Sequence, residues 1–139
     1  MRPALSSWLA GKVPKSLQRP PLTTIIDVQM WVITLVASPS TFKRMVTVHQ
    51  QLMRLPDTFS GMHFYGGISY RRQQVEIAHL HGDGVLDAYV GTAAARRLIA
   101  QRCATVHHAD GGPGWISIRL NSNMQTAHLE ALLRELSSV

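Results

Sequence analysis

Seven histidines occur in this 139-residue chain, and four of them fall in two short stretches. Residues 76–84 read EIAHLHGDG, with His79 and His81 two apart and Asp83 behind them. Residues 106–112 read VHHADGG, with His107 and His108 ahead of Asp110. Alternate side chains of a strand share a face. Val75, Ile77, His79 and His81 should therefore point one way, and Glu76, Ala78 and Leu80 the other. The segment VLDAYV (85–90) alternates too, and GDG between the two is a hairpin signal. A three-residue loop, Gly82-Asp83-Gly84, pairs His81 with Val85, sets His79 opposite Asp87 and Ile77 opposite Tyr89. Directly opposed residues have Cβ atoms about 4.5–5.5 Å apart. Asp87 can then accept a hydrogen bond from His79, fix its tautomer and raise its basicity. A two-residue loop would break this pairing.

Three kinds of chemistry suit such a cluster. The first is proton transfer, since an imidazole beside a carboxylate is the usual acid/base unit. In that reading His79 or His81 is the acid/base and Asp87 the orienter. His107, His108, Tyr89 and Trp115 are then substrate contacts near a glycine-rich turn with little steric cover. The second is a metal ion held by His79, His81, His107 or His108, of a ligand type that suits zinc, copper or iron. No HExxH motif or second carboxylate motif accompanies it. The third is plain structure, with strand-end histidines pairing locally with Asp83, Asp87 and Asp110. Cys103 ends a predicted helix without a nucleophile motif around it. There is no P-loop, no GxSxG and no GxGxxG after a strand, so no nucleotide cofactor is expected.

The elements that must position these residues follow from periodicity. Ser40 can cap a helix running to about Leu55, with Phe42, Met45, Val46, His49, Leu52 and Met53 on its apolar face and Pro56 as its stop. His49 on that face reads as a satisfied core histidine. Strands are expected over 62–67, 68–73, 74–81 and 85–90. Thr92 then caps a helix, 114–120 forms a strand, and Asn121 or Asn123 caps a last helix with Leu129, Leu132, Leu133 and Leu136 on one face. Glu130 and Arg134 add an i, i+4 pair on the other. The expected class is α+β, an antiparallel sheet with helices packed on one face, in the order α-β-β-β-(β)-α-β-α.

Charge divides the chain. Residues 1–56 hold seven Lys/Arg and one acid, Asp27, whereas residues 57–139 hold seven of each sign. The histidine region is therefore neutral, which argues against a nucleic-acid partner. Residues 1–21 form a basic, proline-containing arm, and residues 22–37, LTTIIDVQMWVITLVA, are strongly apolar. Sixteen residues is short of the roughly 20 that span a membrane. Thr23, Asp27, Thr34 and Ser38 mark a narrow polar stripe on a helix. We therefore divide the chain into residues 1–38, a docking or oligomerisation segment, and a domain over 39–139. A cytoplasmic homo-oligomer that buries residues 22–37 is expected, with membrane contact or N-terminal targeting as the alternative.

The ordered motifs of the second half resemble the luciferase-domain proteins of bacteria and fungi. They are Gly66-Gly67, Glu76 through Asp83, Leu86-Asp87, His107-His108 and Gly114 through Ser117, within about 48–137. The resemblance implies an α+β domain and a histidine site. It assigns no reaction, and the family name does not imply light emission. More distantly, the order of elements is similar to MmcQ/YjbR-like domains with a CyaY-like fold. The function expected is a small-molecule-binding protein that uses histidine acid/base chemistry. The alternative is a non-catalytic interaction module docked through its N-terminal segment.

Overall fold

The structure, a computed structural model, describes residues 22–63, 66–107 and 112–139. The basic arm, Tyr65, His108 and Asp110 lie outside the described residues. Helix α1 (Leu22–Ala37) runs into α2 (Pro39–Met53), and four strands follow: β1 (Thr58–Met62), β2 (Ile68–Arg72), β3 (Val75–Leu80) and β4 (Val85–Tyr89). Then come α3 (Thr92–Ala100), a two-residue β5 (Thr105–Val106), β6 (Trp115–Arg119) and α4 (Thr126–Ser137). The strands form one antiparallel sheet in the order β1-β2-β3-β4-β6-β5.

The expected class holds. Ala78, Leu80, Leu86, Ala88, Ile116 and Ile118 present an apolar face of the sheet to Met45, Val48 and Leu52 of α2, Leu98 of α3, and Leu129, Leu132 and Leu136 of α4. Each of the leucine, isoleucine, valine and methionine side chains contributes roughly 1.5–3 kcal/mol on burial. His49 sits at this core as read from the spacing, its Nδ1 2.8 Å from the hydroxyl of fully buried Tyr70.

Details differ from the sequence reading. The first strand is 58–62 rather than 62–67. Beyond it the His63 backbone N–H donates to the Gly67 carbonyl at 3.0 Å. Ser38, not Ser40, precedes α2, and its hydroxyl donates to Thr41 Oγ1 at 2.8 Å. Gly91, with φ 79°, takes the cap position that Thr92 was expected to hold. Gln125 precedes α4 in place of an asparagine cap. Val46 and Met53 face outward, because Thr41, Met45, Val48 and Leu52 form the buried stripe of α2. On α4, Glu135 rather than Glu130 makes the ion pair, reaching Arg97 of α3, while Arg134 donates to the backbone carbonyl of Glu130.

Helix α1 is turned opposite to an ordinary amphipathic helix. Its polar stripe faces the protein: the Asp27 carboxylate accepts from the backbone N–H of Gly82 at 2.8 Å and from Trp31 Nε1 at 3.0 Å. The Thr34 hydroxyl donates to the Gly82 carbonyl at 2.7 Å. Ile25, Val28, Val32, Ile33, Leu35 and Val36 are exposed. Gly82 is required at this junction, since a Cβ there would stand 2.5 Å from the Asp27 carbonyl oxygen and 2.7 Å from Trp31 Cδ1. No described helix is long and apolar enough to cross a membrane.

Candidate functional site

The three-residue hairpin loop forms as the glycines require. The His81 N–H donates to the Val85 carbonyl at 2.8 Å, and His79 is paired with Asp87. The same cross-strand row continues over the whole sheet. Gly61, Ser69, His79, Asp87, Ser117 and Thr105 contribute one residue from each of the six strands. This row lies on the face opposite the helices, because its neighbours Ala78, Leu80, Leu86, Ala88, Ile116 and Ile118 are the ones in the core. The next row sets Tyr89 beside Trp115.

One departure from alternation matters. Tyr70 pairs with Ala78, but Arg71 pairs with Glu76, so Ile77 is an extra residue in β3. This β-bulge lets Ile77 and Ala78 both reach the core and turns Glu76 onto the histidine face. Strict alternation places Glu76 on the opposite side from His79. Instead its Oε1 lies 3.3 Å from His79 Nδ1 and 3.5 Å from Nε2 of His63.

Asp87 is the centre. Its Oδ2 is 2.9 Å from Nε2 of His79 and 2.9 Å from Nε2 of His81. Its Oδ1 is 3.1 Å from Nδ1 of His107 and also accepts from the Ser117 hydroxyl. His107 Nδ1 is in turn 3.2 Å from Ser117 Oγ. Asp87 is 4% exposed and His79 7%. Burial alone would raise the Asp87 carboxyl, but His107, His79 and His81 hold it far below the usual carboxylate range. Glu76 is likewise opposed by burial, and His63 and His79 hold it down. For His79, burial disfavours the charged ring, yet Asp87 and then Glu76 overcome it and push the imidazole up to about 9. At neutral pH the buried ring is therefore a cation between two anions.

Aromatic contacts frame the cluster. His63 stacks on His79 with ring centroids 4.2 Å apart, and Trp115 lies 5.6 Å from His79 and 5.8 Å from His107. Tyr89 stands 5.9 Å from Trp115. Thus His79, His81, Asp87 and His107 converge directly, Trp115 borders them, and Tyr89 reaches them through Trp115. Glu76, His63 and Ser117 were not singled out from the sequence. Two three-ligand groups could hold a metal ion, His63-Glu76-His79 and His79-Asp87-His107, each with its ligand atoms within 4.8 Å of one another. An apolar groove of about 270 Å³ is lined by Asp27, Val28, Trp31, Met62, Gly67 and Ile68.

Residues 74–135 match the family model described as Luciferase domain. This stretch is similar to that family. It runs from β3 into α4 and includes Glu76, His79, His81, Asp87, His107 and Ser117, while His63 lies ahead of it. The match is narrower than the 48–137 expected from the motifs. No curated protein and no solved structure matches the chain, so the more distant likeness to MmcQ/YjbR-like domains has no support from them.

Proposed function

We propose that the histidine face of the sheet binds a small polar molecule and exchanges protons with it. The observation behind this reading is one buried carboxylate, Asp87, addressed by three imidazoles and a hydroxyl. An ionised carboxylate only accepts hydrogen bonds. It therefore fixes the proton of His81 on Nε2 and that of His107 on Nδ1, and leaves the second nitrogen of each ring to meet a ligand. His81 and His107 are the proton-exchanging groups, Asp87 orients them, and His79 is the charged centre that anchors all three. Trp115, with Tyr89 behind it, offers a flat wall to a planar part of the ligand.

The test is capture. The full chain is incubated with a metabolite mixture and what it retains is identified by native mass spectrometry. A ligand held by the wild type and weakened about tenfold or more in His81→Ala or His107→Ala supports the reading, since one hydrogen bond to a charged group is worth about 1.5–3 kcal/mol. Retention equal in both variants, or no retained ligand, overturns it.

A second reading from a different class rests on α1. Six apolar side chains of that helix point outward while its polar stripe is used up on Gly82. Isologous pairing with a second copy is the commonest way to cover such a face. On this reading residues 22–37 assemble the protein. Light scattering of the full chain decides it, a monomer at micromolar concentration without detergent being the refuting result.

A further inference from the structure

We propose that His63 Nε2, Glu76 Oε1 and His79 Nδ1 form a binding site for a first-row divalent metal ion, with Asp87 as the carboxylate that orients His79 from its far nitrogen. The proposal rests on reading this face as the functional one and names the cofactor it would hold.

Two ligand groups share His79 through opposite ring nitrogens, and the hydrogen bonding separates them. Around Asp87 both oxygens are already occupied. Oδ2 takes His79 and His81, and Oδ1 takes His107 and Ser117. Nothing there is left wanting a partner. On the other side of the ring the position is reversed. Glu76 Oε1 and His79 Nδ1 are buried and meet as an ion pair, but outside hydrogen-bond geometry. They face each other at 3.3 Å, with His63 Nε2 at 3.5 Å from the carboxylate. Metal–ligand bonds of about 2.0–2.1 Å set tetrahedral ligand atoms roughly 3.3 Å apart. The two approaches to the carboxylate already have that spacing, and the His63 ring, stacked on His79, would turn to direct its Nε2 at the same ion.

The chain expends a structural irregularity to build this group. Without the bulge at Ile77, Glu76 would lie on the helix face of the sheet. With it, a carboxylate, a strand histidine and a histidine at the exit of β1 converge on one point. The donor set is two imidazoles and one carboxylate, which suits zinc in a three-ligand site with an open fourth position, and equally a non-haem ferrous ion. A metal-bound imidazole characteristically gives its other N–H to a carboxylate. His79 does this with Asp87 at 2.9 Å. Charge also balances: a dication would take the place of the Nδ1 proton between Glu76 and Asp87.

The experiment uses the full chain, stripped with a chelator and titrated with Zn²⁺ by calorimetry and with Co²⁺ by visible absorption. One equivalent should bind. His63→Ala and Glu76→Gln should each abolish the cobalt spectrum or weaken binding at least tenfold, and Asp87→Asn should weaken it about 10–100-fold. His107→Ala should leave it within about threefold. Circular dichroism confirms that each variant is folded, and His63→Ala, at the rim, keeps the test open should Glu76→Gln fail to fold. Binding that survives both His63→Ala and Glu76→Gln but is lost in His107→Ala would put the ion at Asp87 and overturn the proposal. A folded wild type that binds no equivalent also overturns it. Metabolite capture by chelator-treated protein is scored separately, so the ligand reading can stand when the metal reading fails.

Discussion

Replacing Asp87 by Asn tests the central physical claim, because the change removes charge while keeping shape. Asp87 is 4% exposed and holds the imidazolium of His79 at 2.9 Å. Removing one partner of a buried ion pair costs about 3–5 kcal/mol, since the other charge stays buried and unpaired. The His79 shift, raised by Asp87 and Glu76 together, is of the same order. A ring raised from 6.5 to about 9 corresponds to stabilisation on the order of 3 kcal/mol. The sign follows from proton uptake. The folded protein binds the proton more tightly than the unfolded chain, so this stability is complete below pH 6.5 and is lost as pH rises through about 9. For 139 residues, 3–5 kcal/mol corresponds to a fall in Tm of roughly 10–17 °C. Urea titrations of chelator-treated protein across pH 6 to 10 measure both quantities. Wild type should lose stability across the alkaline limb, and Asp87→Asn should start lower and lose much less. A variant within about 1 kcal/mol of wild type at neutral pH, with the slope unchanged, would mean that Asp87 anchors no buried charge.

Two further outcomes follow from the fold. Burial raises the Tyr70 phenol well above its ordinary value of 10.0, so its contribution is intact below pH 10 and is lost as pH climbs beyond it; ultraviolet titration should show its ionisation coinciding with loss of circular dichroism, and a reversible titration of every tyrosine in the folded protein would refute this. Gly82→Ala places a methyl group against the backbone of α1, costing about 1–3 kcal/mol; Trp31 fluorescence should shift towards that of exposed indole, and an unchanged spectrum and stability would show that α1 is not docked as described.

The hairpin that pairs His79 with Asp87 was legible in the sequence because glycines bracket its loop and both strands alternate. The helix-faced sheet was legible for the same reason, since Leu86, Ala88, Ile116 and Ile118 keep a period of two. Glu76 was misplaced because a bulge reverses the side on which residues before it emerge, and no residue type in VEIAHL marks one. His63 belongs to the site through tertiary placement alone, and its separation from His79 carries no periodic signal. The turn between β2 and β3 was also hidden, since Gln73 and Gln74 adopt left-handed φ values of 48° and 67° where Asn-Gly is the usual marker. For α1 the polar stripe was read correctly, but a stripe does not say whether it faces water or the backbone of a loop.

The inverted seating of α1 ties two ends of the molecule together. Its polar grip on the protein is a pair of hydrogen bonds to the backbone of Gly82, one through Asp27 and one through Thr34, beside the packing of Trp31 on the core. Gly82 is the next residue after His81, and His81 touches Asp87. The helix is thus a lever whose handle is greasy and whose fulcrum is one peptide unit long. Whatever takes hold of the outer side of α1 therefore loads the residue beside His81 together with the contact of Trp31 on the apolar core.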